Sequence, residues 1–263
     1  MSSSLVQKQF GAAAADYAAS TVHASGPSLG RLVALVDPQP DWHVLDVATG
    51  AGHTALTFAP LVARVVASDI TGEMLAEATK LARARGLANV ETAHAEAGSL
   101  PFPDASFDLV TCRLAAHHFP APAAFVGESG RVLKRGGTFA LVDNVGPDTT
   151  RMPAATPAEV RDADTLYNTY EELRDPSHVR ALSLDDWLAL LDDAGFTDVR
   201  HERLDQDIAF KPWTERMRCS PETIERLHHL LDNDLLRAFL RPREEAGERV
   251  FTLQEAIIVA RKP

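Results

Sequence analysis

Asp46 precedes a glycine-rich turn early in the chain, and Asp69 follows it. The stretch Val44–Phe58 reads VLDVATGAGHTALTF, so Asp46 closes a short apolar run four residues before Gly50. Gly50 and Gly52 allow positive φ angles and a close approach of the backbone to a ligand. A helix that begins just after them would direct free N–H groups at that ligand. The pattern predicts a buried strand, a glycine turn and a helix start that bind a nucleotide-like molecule.

The glycines alone leave two kinds of nucleotide open. Gly50–Ala55 fits the GxGxxA pattern of NAD-binding βαβ units, and the position of Asp69, seventeen residues after Gly52, also fits such a unit. An acid at that place recognises a ribose diol, which every adenosine cofactor has. The carboxylate of Asp46, however, would repel a pyrophosphate and can instead face a ligand with an ammonium group. Glu96, after the third predicted strand, is suited to accept a hydrogen bond from an exocyclic amine. The three acids together favour a cationic adenosine cofactor.

Alternating strands and helices are predicted to position these residues. Strands are predicted at Val44–Val47, Arg64–Ser68, Val90–His94, Phe107–Cys112 and Thr138–Val145, and helices at Leu29–Val36, Thr54–Val62, from Thr71 or Gly72 to Arg85, and at Ala123–Leu133, where Gly136 and Gly137 end the last one. This spacing is typical of a doubly wound α/β sheet that is covered by helices on both faces. Ligands bind such sheets at the carboxyl ends of the strands. We therefore expect Asp46, Asp69, Glu96 and Cys112–Arg113 at one edge.

The chain changes character after Gly146, where prolines interrupt the alternation. Helices are predicted at Asp162–Leu173, Leu184–Ala194, Pro221–Asp232 and Leu235–Leu240, and a last strand at Arg249–Ala260. We interpret the chain as one domain overall. It is divided into an N-terminal lid segment (1–30), a cofactor-binding core (31–146), a substrate-wall insertion with the end of the sheet (147–220), and C-terminal helices with the last strand (221–263). Within the first segment, a helix at Gln9–Ala19 with Phe10, Tyr17 and His23 nearby is either a surface helix or a mobile lid.

Composition and charge limit the partners that the protein can have. The 263 residues include 37 acidic and 26 basic ones, for a formal net charge of −11. This acidity disfavours nucleic acid, which needs clustered Lys and Arg. No run reaches the ~20 apolar residues of a membrane helix, so no integral membrane contact is expected. Two distant cysteines and no signal-peptide pattern predict a cytoplasmic protein without a disulfide.

Four segments resemble the motifs of class I S-adenosylmethionine-dependent methyltransferases. These segments are Val44–Phe58, Val65–Met74, Ala95–Phe119 and Arg131–Asp143. The similarity is narrower to the group typified by ubiquinone and menaquinone biosynthesis C-methyltransferases (methyltransferase type 11). It covers about residues 10–145 and, more loosely, residues 184–199. Lys134–Gly137 departs from the usual KPGG, and Thr49 replaces a frequent Cys. The resemblance implies a Rossmann-like seven-stranded sheet, mostly parallel, with an antiparallel last strand.

The resemblance also implies a binding role for each matching residue. Asp46 and the Gly50–Gly52 turn would meet the methionine part of S-adenosyl-L-methionine, and Asp69 would hold the ribose hydroxyls. Ile70 would lie against the adenine, with Glu96 and the Ala97 backbone at its amine. Cys112 and Arg113 would line the methyl end. The predicted cofactor site comprises Asp46, Ala48, Thr49, Gly50, Gly52, Asp69, Ile70, Met74, Glu96, Ala97, Cys112 and Arg113.

Catalysis by such an enzyme depends mostly on alignment, because the sulfonium leaving group departs neutral. His117 and His118 are the candidates for a general base, since histidine titrates near neutrality, although either could simply pack or cap a helix. Arg113 could orient the substrate or the cofactor carboxylate, or form a surface ion pair. Asp143 and Asn144 could face the substrate or cap a loop. No HExxH or cysteine cluster is present in the sequence, and no metal is predicted.

The acceptor of the methyl group is predicted only by class. The sequence has no Asn/Asp-Pro-Pro-Tyr motif, which argues against methylation of amino groups of bases or glutamine. A small molecule with a carbon or oxygen acceptor is therefore expected, and both a monomer and a homodimer stay open. The alternatives are an NAD-dependent oxidoreductase and a non-catalytic cofactor-binding module.

Overall fold

The computed structural model describes residues 5, 7, 9–11, 14 and 26–263. The predicted lid segment and the Gln9–Ala19 helix therefore lie largely outside the described residues, as do Tyr17 and His23. Phe10 is described, and it contacts the candidate site discussed below.

A mixed sheet covered by helices forms the centre of the molecule. The strands are β1 (His43–Val47), β2 (Arg64–Asp69), β3 (Val90–His94), β4 (Phe107–Arg113), β5 (Leu133–Asn144), β6 (Thr197–Ala209), β7 (Arg243–Glu245) and β8 (Glu248–Arg261). The helices of residues 26–263 are α1 (Pro27–Val36), α2 (His53–Phe58), α3 (Gly72–Ala84), α4 (Pro122–Val132), α5 (Pro157–Arg174), α6 (Leu184–Asp193), α7 (Phe210–Arg216), α8 (Pro221–Leu231) and α9 (Asp234–Leu240). Single 3-10 turns follow at Ala59–Leu61 and Ala116–His118.

The strand order is β3-β2-β1-β4-β5-β8-β6, and the short β7 pairs with β8 outside this path. Strands β1 to β5 are parallel, whereas β8 runs antiparallel to both β5 and β6. The predicted doubly wound α/β sheet with an antiparallel last strand is confirmed. The order also places the carboxyl ends of β1 to β4 side by side, because these strands are direct neighbours.

Two apolar layers cover the sheet because successive side chains along each strand point to opposite faces. On one face Val44 of β1 and Leu109 of β4 pack with Leu32 of α1 and with Phe58 of α2. On the other face the next residues along the strands pack with α4 and α6, where Trp187 is 1% exposed. Strands buried on both faces read as continuous apolar runs, which is why β1, β2 and β4 were predictable.

Strand β6 was missed, together with α7 and β7. Its sequence TDVRHERLDQDIA carries six charged residues, and much of it is exposed, because β6 lies at the edge of the sheet and pairs with β8 alone among the described strands. Charged side chains on an edge strand discourage pairing with other chains, but they also remove the apolar pattern by which a strand is recognised.

The Gly136–Gly137 pair was wrongly predicted to end a helix. Helix α4 ends at Val132, and β5 begins directly at Leu133, so both glycines lie within the strand. The pairing of β5 with β4 shifts register there, and a Cβ on Gly137 would lie 2.8 Å from the Lys134 carbonyl oxygen. The glycines accommodate this irregularity.

Helix α5 begins five residues before its predicted start. Thr156 caps it by accepting a hydrogen bond from the Glu159 N–H, and the Glu159 side chain accepts one from the Thr156 N–H. This capping box, with Pro157 in the first turn, is a start signal that the apolar pattern did not show. A separate apolar cluster packs beneath α5, α8 and α9, with Tyr167, Trp213 and Phe239 at its centre. No described helix is both long enough and apolar enough to cross a bilayer.

Gly52 is the glycine on which the turn after β1 depends most. Its φ is 90°, and a Cβ there would lie 3.0 Å from the Ala78 Cβ. We expect Gly52→Ala to lower the free energy of unfolding by about 1–3 kcal/mol in urea denaturation. Gly30, inside α1 with open space around it, is the matched control, and Gly30→Ala is expected to stabilise by about 0.5–1 kcal/mol. Equal stability of the two variants would contradict this role of Gly52.

Candidate functional site

A cavity of about 180 Å³ opens at the carboxyl ends of the parallel strands. Ten of the residues predicted from the sequence line it: Ala48, Thr49, Gly50, Asp69, Ile70, Met74, Glu96, Ala97, Arg113 and His118. Four others lie behind the wall, namely Asp46, Gly52, Cys112 and His117. The lining also includes residues for which the sequence offered no signal: Gly98, Leu114, Ala115, Pro120 and Ala121.

Asp46 does not face the cavity as the sequence suggested. It is 1% exposed, and its Oδ2 accepts hydrogen bonds from Thr49 Oγ1 at 2.5 Å and from the Ala55 N–H at 3.1 Å. Its Oδ1 accepts one from Thr111 Oγ1 at 2.6 Å. Burial raises the pKa of this carboxyl from 3.8 to about 6, against the hydrogen bonds and the charge of Arg113, which lower it. Asp46 therefore shapes the turn from beneath by holding β1, β4 and α2 together.

Asp69 ends β2 and lies in the cavity wall. Its Oδ2 accepts from the Gly50 N–H and its Oδ1 from the Thr71 N–H, both at 2.8 Å. Burial raises the pKa of Asp69, and these backbone hydrogen bonds oppose the rise. An ionised carboxylate has about four acceptor positions, so a ligand in the cavity can still donate to Asp69. The arrangement presents a rigid pair of oxygens to whatever occupies the cavity.

The neighbouring wall combines apolar side chains with one exposed acid. Ile70 and Met74 follow Asp69, while Glu96 and Ala97 follow β3. The loop after β3 is held to β2 because the Ala95 N–H donates to the Asp69 carbonyl at 3.1 Å. Such a wall suits a flat aromatic ring whose polar edge reaches the Glu96 carboxylate.

Arg113 supplies a cation at the end of β4. Its Nε and Nη2 lie 3.4 Å from Ser28 Oγ on α1, and the nearby Glu255 of β8 is buried. Burial lowers the pKa of Arg113, whereas Glu255 and Asp46 raise it. Cys112, the preceding residue, is fully buried, and burial raises the pKa of its thiol well above the ordinary value. Cys112 is therefore an unreactive core residue, not a lining one.

The two adjacent histidines after β4 have different surroundings. His118 lines the cavity, and its ring packs edge-on against Phe10, with centroids 5.1 Å apart. His117 instead contacts Asp143 of β5, with 2.6 Å between Nδ1 and Oδ1. Asp143 is 2% exposed and also accepts from the His117 N–H, so it caps this turn and does not face the cavity. Within the described part of the chain, no three His, Cys, Asp or Glu side chains are grouped as ligands of a metal ion.

The pKa of Asp46 makes stability depend on pH in a known direction. Because the pKa is about 6 in the folded state and 3.8 ordinarily, the folded state retains a proton that the unfolded chain releases. The contribution of Asp46 to stability is thus present at low pH and is lost as pH rises from about 4 to about 6. We compare the free energies of unfolding of Asp46→Asn and the parent by urea denaturation. The difference should shift by about 2 kcal/mol in favour of the variant when the pH is raised from 4.5 to 7.5. A difference that does not change with pH would contradict the raised pKa.

Comparisons with known proteins agree with this architecture. Residues 45–141 match a family model described as a methyltransferase domain. The uncharacterized methyltransferase YcgJ of Bacillus subtilis is 39% identical over 197 residues, which are 74% of this chain and 73% of that protein. The crystal structure of YcgJ superposes with a TM-score of 0.81 at 33% identity, covering 89% of this chain and 97% of the other.

Two further matches are more distant. A demethylmenaquinone methyltransferase of Clavibacter sepedonicus is 31% identical over 64% of this chain and 71% of that protein. Phosphoethanolamine N-methyltransferase 2 of Haemonchus contortus, solved in complex with S-adenosyl-L-methionine, shares the fold alone. Its TM-score is 0.60 at 17% identity, over 90% of this chain and 53% of the other. The sheet order, the match of residues 45–141 and the extended similarity to YcgJ lead to one conclusion: this chain belongs to the class I methyltransferase family.

Proposed function

We propose that this protein transfers a methyl group from S-adenosyl-L-methionine to a carbon or oxygen atom of a small molecule. The observation that carries the proposal is Asp69. It is a buried carboxylate in the cavity wall, held by the N–H groups of Gly50 and Thr71, with acceptor positions left for a ribose diol.

The cavity has a suitable residue for each part of that cofactor. Asp69 would hold the ribose hydroxyls, and the adenine would lie between Ile70 and Ala97 with its amine at Glu96. The turn at Gly50, which has a φ of 55° and lines the cavity, would lie along the methionine part. Arg113 would face the methionine carboxylate.

When bound, S-adenosyl-L-methionine supplies a methyl group on a sulfonium, whose leaving group departs neutral. The chain itself has to hold the acceptor in line and exclude water. Phe10, Leu114, Ala115 and Phe119 line the cavity and are suited to an apolar acceptor. Residues 147–220, for which we propose a substrate wall, reach the turn that precedes His118, where the N–H groups of Val179 and Arg180 donate to the His117 carbonyl.

The names of relatives support an acceptor of this kind. The Clavibacter protein is named for demethylmenaquinone, a small molecule. A nocamycin O-methyltransferase of Saccharothrix syringae, 33% identical over 55% of this chain and 52% of that protein, is named for an oxygen acceptor. We extend to this chain the class of reaction and not either substrate.

Thermal-shift measurements with S-adenosylhomocysteine and NAD test the proposal against the oxidoreductase alternative. We expect S-adenosylhomocysteine to raise Tm and NAD to leave it unchanged, since a ligand stabilises the state that binds it. Stabilisation by NAD alone would overturn the proposal. A radiolabel assay with S-adenosyl-L-[methyl-³H]methionine tests the second alternative. A non-catalytic binding module would bind S-adenosylhomocysteine but would transfer no tritium to any small acceptor.

Asp69→Ala tests the residue that carries the proposal. Loss of a buried hydrogen-bonded acid is expected to weaken S-adenosylhomocysteine binding by about 1–3 kcal/mol, or about 5- to 150-fold in Kd, in titration calorimetry. Asp193→Ala, at an exposed position in α6, is the matched control, and circular dichroism checks that both variants fold. Unchanged affinity in a folded Asp69→Ala variant would refute this assignment.

A further inference from the structure

The hydrogen bonds of His118 determine which of its ring nitrogens carries a proton. Its Nδ1 lies 3.0 Å from the carbonyl oxygen of Ser177 and 3.3 Å from Ser177 Oγ. A carbonyl oxygen can only accept, and Ser177 Oγ already donates its hydrogen to Asp175 Oδ1 at 2.6 Å. Both Ser177 oxygens are therefore acceptors, so Nδ1 carries the hydrogen and Nε2 keeps a lone pair.

The surroundings of His118 keep its imidazole neutral. Burial and the charge of His117 together lower the pKa of His118 to about 4, against Asp175, Ser177 and Asp143, which raise it. A neutral ring in the cavity wall, with Nδ1 committed to Ser177, has Nε2 as its available acceptor.

His117 has the opposite character. Burial lowers its pKa, but the charge and hydrogen bond of Asp143, together with the charges of Glu171 and Asp175, raise it by more, so the net pKa lies above the ordinary value. Its Nδ1 donates to Asp143 Oδ1, because a carboxylate accepts. This ring is not part of the cavity lining, although it lies 4.2 Å from the His118 ring, centroid to centroid.

The backbone of His117 connects β5 to the segment that holds Ser177. Its N–H donates to Asp143 Oδ2 at 2.7 Å, and its carbonyl accepts from the N–H groups of Val179 and Arg180 at 2.9 and 3.0 Å. The Ser177 N–H donates to Asp175 Oδ1 at 2.9 Å. The Ser177 carbonyl is therefore fixed from both sides, and with it the orientation of the His118 ring.

We propose that His118 accepts the proton of a hydroxyl-bearing acceptor at Nε2 during methyl transfer, and that His117 is a positioning residue that acts through Asp143 and Ser177. The inference rests on the proposed function. In this step an oxygen lone pair of the acceptor forms the bond to the methyl carbon, and the carbon–sulfur bond breaks with its electron pair on sulfur. The hydroxyl proton moves to His118 Nε2 and from there to solvent. A weak base suffices, because the oxygen becomes strongly acidic as the new bond forms.

Substituted phenols of graded acidity test the step with the full-length enzyme and S-adenosyl-L-[methyl-³H]methionine. His118→Asn retains an amide donor for the Ser177 carbonyl and removes Nε2. At about pH 8 we expect its kcat to fall ~100-fold with phenol, which must lose a proton, and less than about 5-fold with 4-nitrophenol, which is mostly ionised. His229→Asn, at an exposed position of α8, is the matched control and is expected to keep the parental rates.

Each result of this experiment decides the matter. Equal losses with both phenols would mean that His118 is only structural, and no methylation of either phenol by the parent enzyme would overturn the hydroxyl acceptor. Calorimetry with S-adenosylhomocysteine separates the two proposals. A parent that fails to bind it refutes the proposed function, whereas a parent that binds it and a His118→Asn variant with parental rates refute only this inference.

The positioning role of His117 has its own readout. We expect His117→Ala to show the same acidity-graded loss, about 10-fold with phenol, and His117→Asn, which keeps a donor for Asp143, to restore most of it. Long-range ¹⁵N–¹H NMR spectra of the parent should show the His118 hydrogen on Nδ1. A hydrogen on Nε2, or a loss in His117→Ala that is equal for both phenols, would overturn the assignment.

Discussion

The buried carboxylate of Asp46 is the constraint on which the cavity depends. It accepts hydrogen bonds from Thr49 in the turn, from the Ala55 N–H at the start of α2 and from Thr111 of β4. A buried charge is tolerated only where such partners surround it, so the turn, the helix and the neighbouring strand must keep one arrangement. The site that results is shaped by a residue that lies outside it.

A buried carboxylate that accepts backbone N–H hydrogen bonds is found at the ends of three strands. Asp69 is the last residue of β2, and Asp46 and Asp143 are the second-to-last residues of β1 and β5. Each accepts a hydrogen bond from the backbone N–H of a nearby turn or helix start: Asp46 from Ala55, Asp69 from Gly50 and Thr71, and Asp143 from His117. Turns at the carboxyl ends of parallel strands carry the binding residues of such folds. Carboxylates that accept from those turns hold the turns rigid without occupying the cavity, and Asp69 alone of these three also lines it.

The sequence predicted the parts of the fold that local patterns specify. Apolar runs revealed β1, β2 and β4. The last strand β8 was predicted from its composition, and its antiparallel orientation was expected from the family resemblance. The sequence did not reveal β6, whose charged residues suit an edge strand, or the strand irregularity at Gly136. At the site, residue types placed Asp69 and Glu96 at the sheet edge. They could not separate His118 from His117, because the difference arises from Ser177 and Asp143, which are 59 and 26 residues distant along the chain. Likewise Asp46 was expected to face a ligand, since the hydroxyl of Thr111, 65 residues away, could not be foreseen.

The cavity thus combines a floor of carboxylates and backbone with a wall that distant segments of the chain hold in place. Residues 175–180 reach the His117 turn, and Ser28 of α1 reaches Arg113. A crystal structure of the protein with S-adenosylhomocysteine tests the account most directly. It should place both ribose hydroxyls within about 3 Å of the Asp69 carboxylate oxygens. A ligand bound elsewhere, or a ribose that does not contact Asp69, would contradict the account.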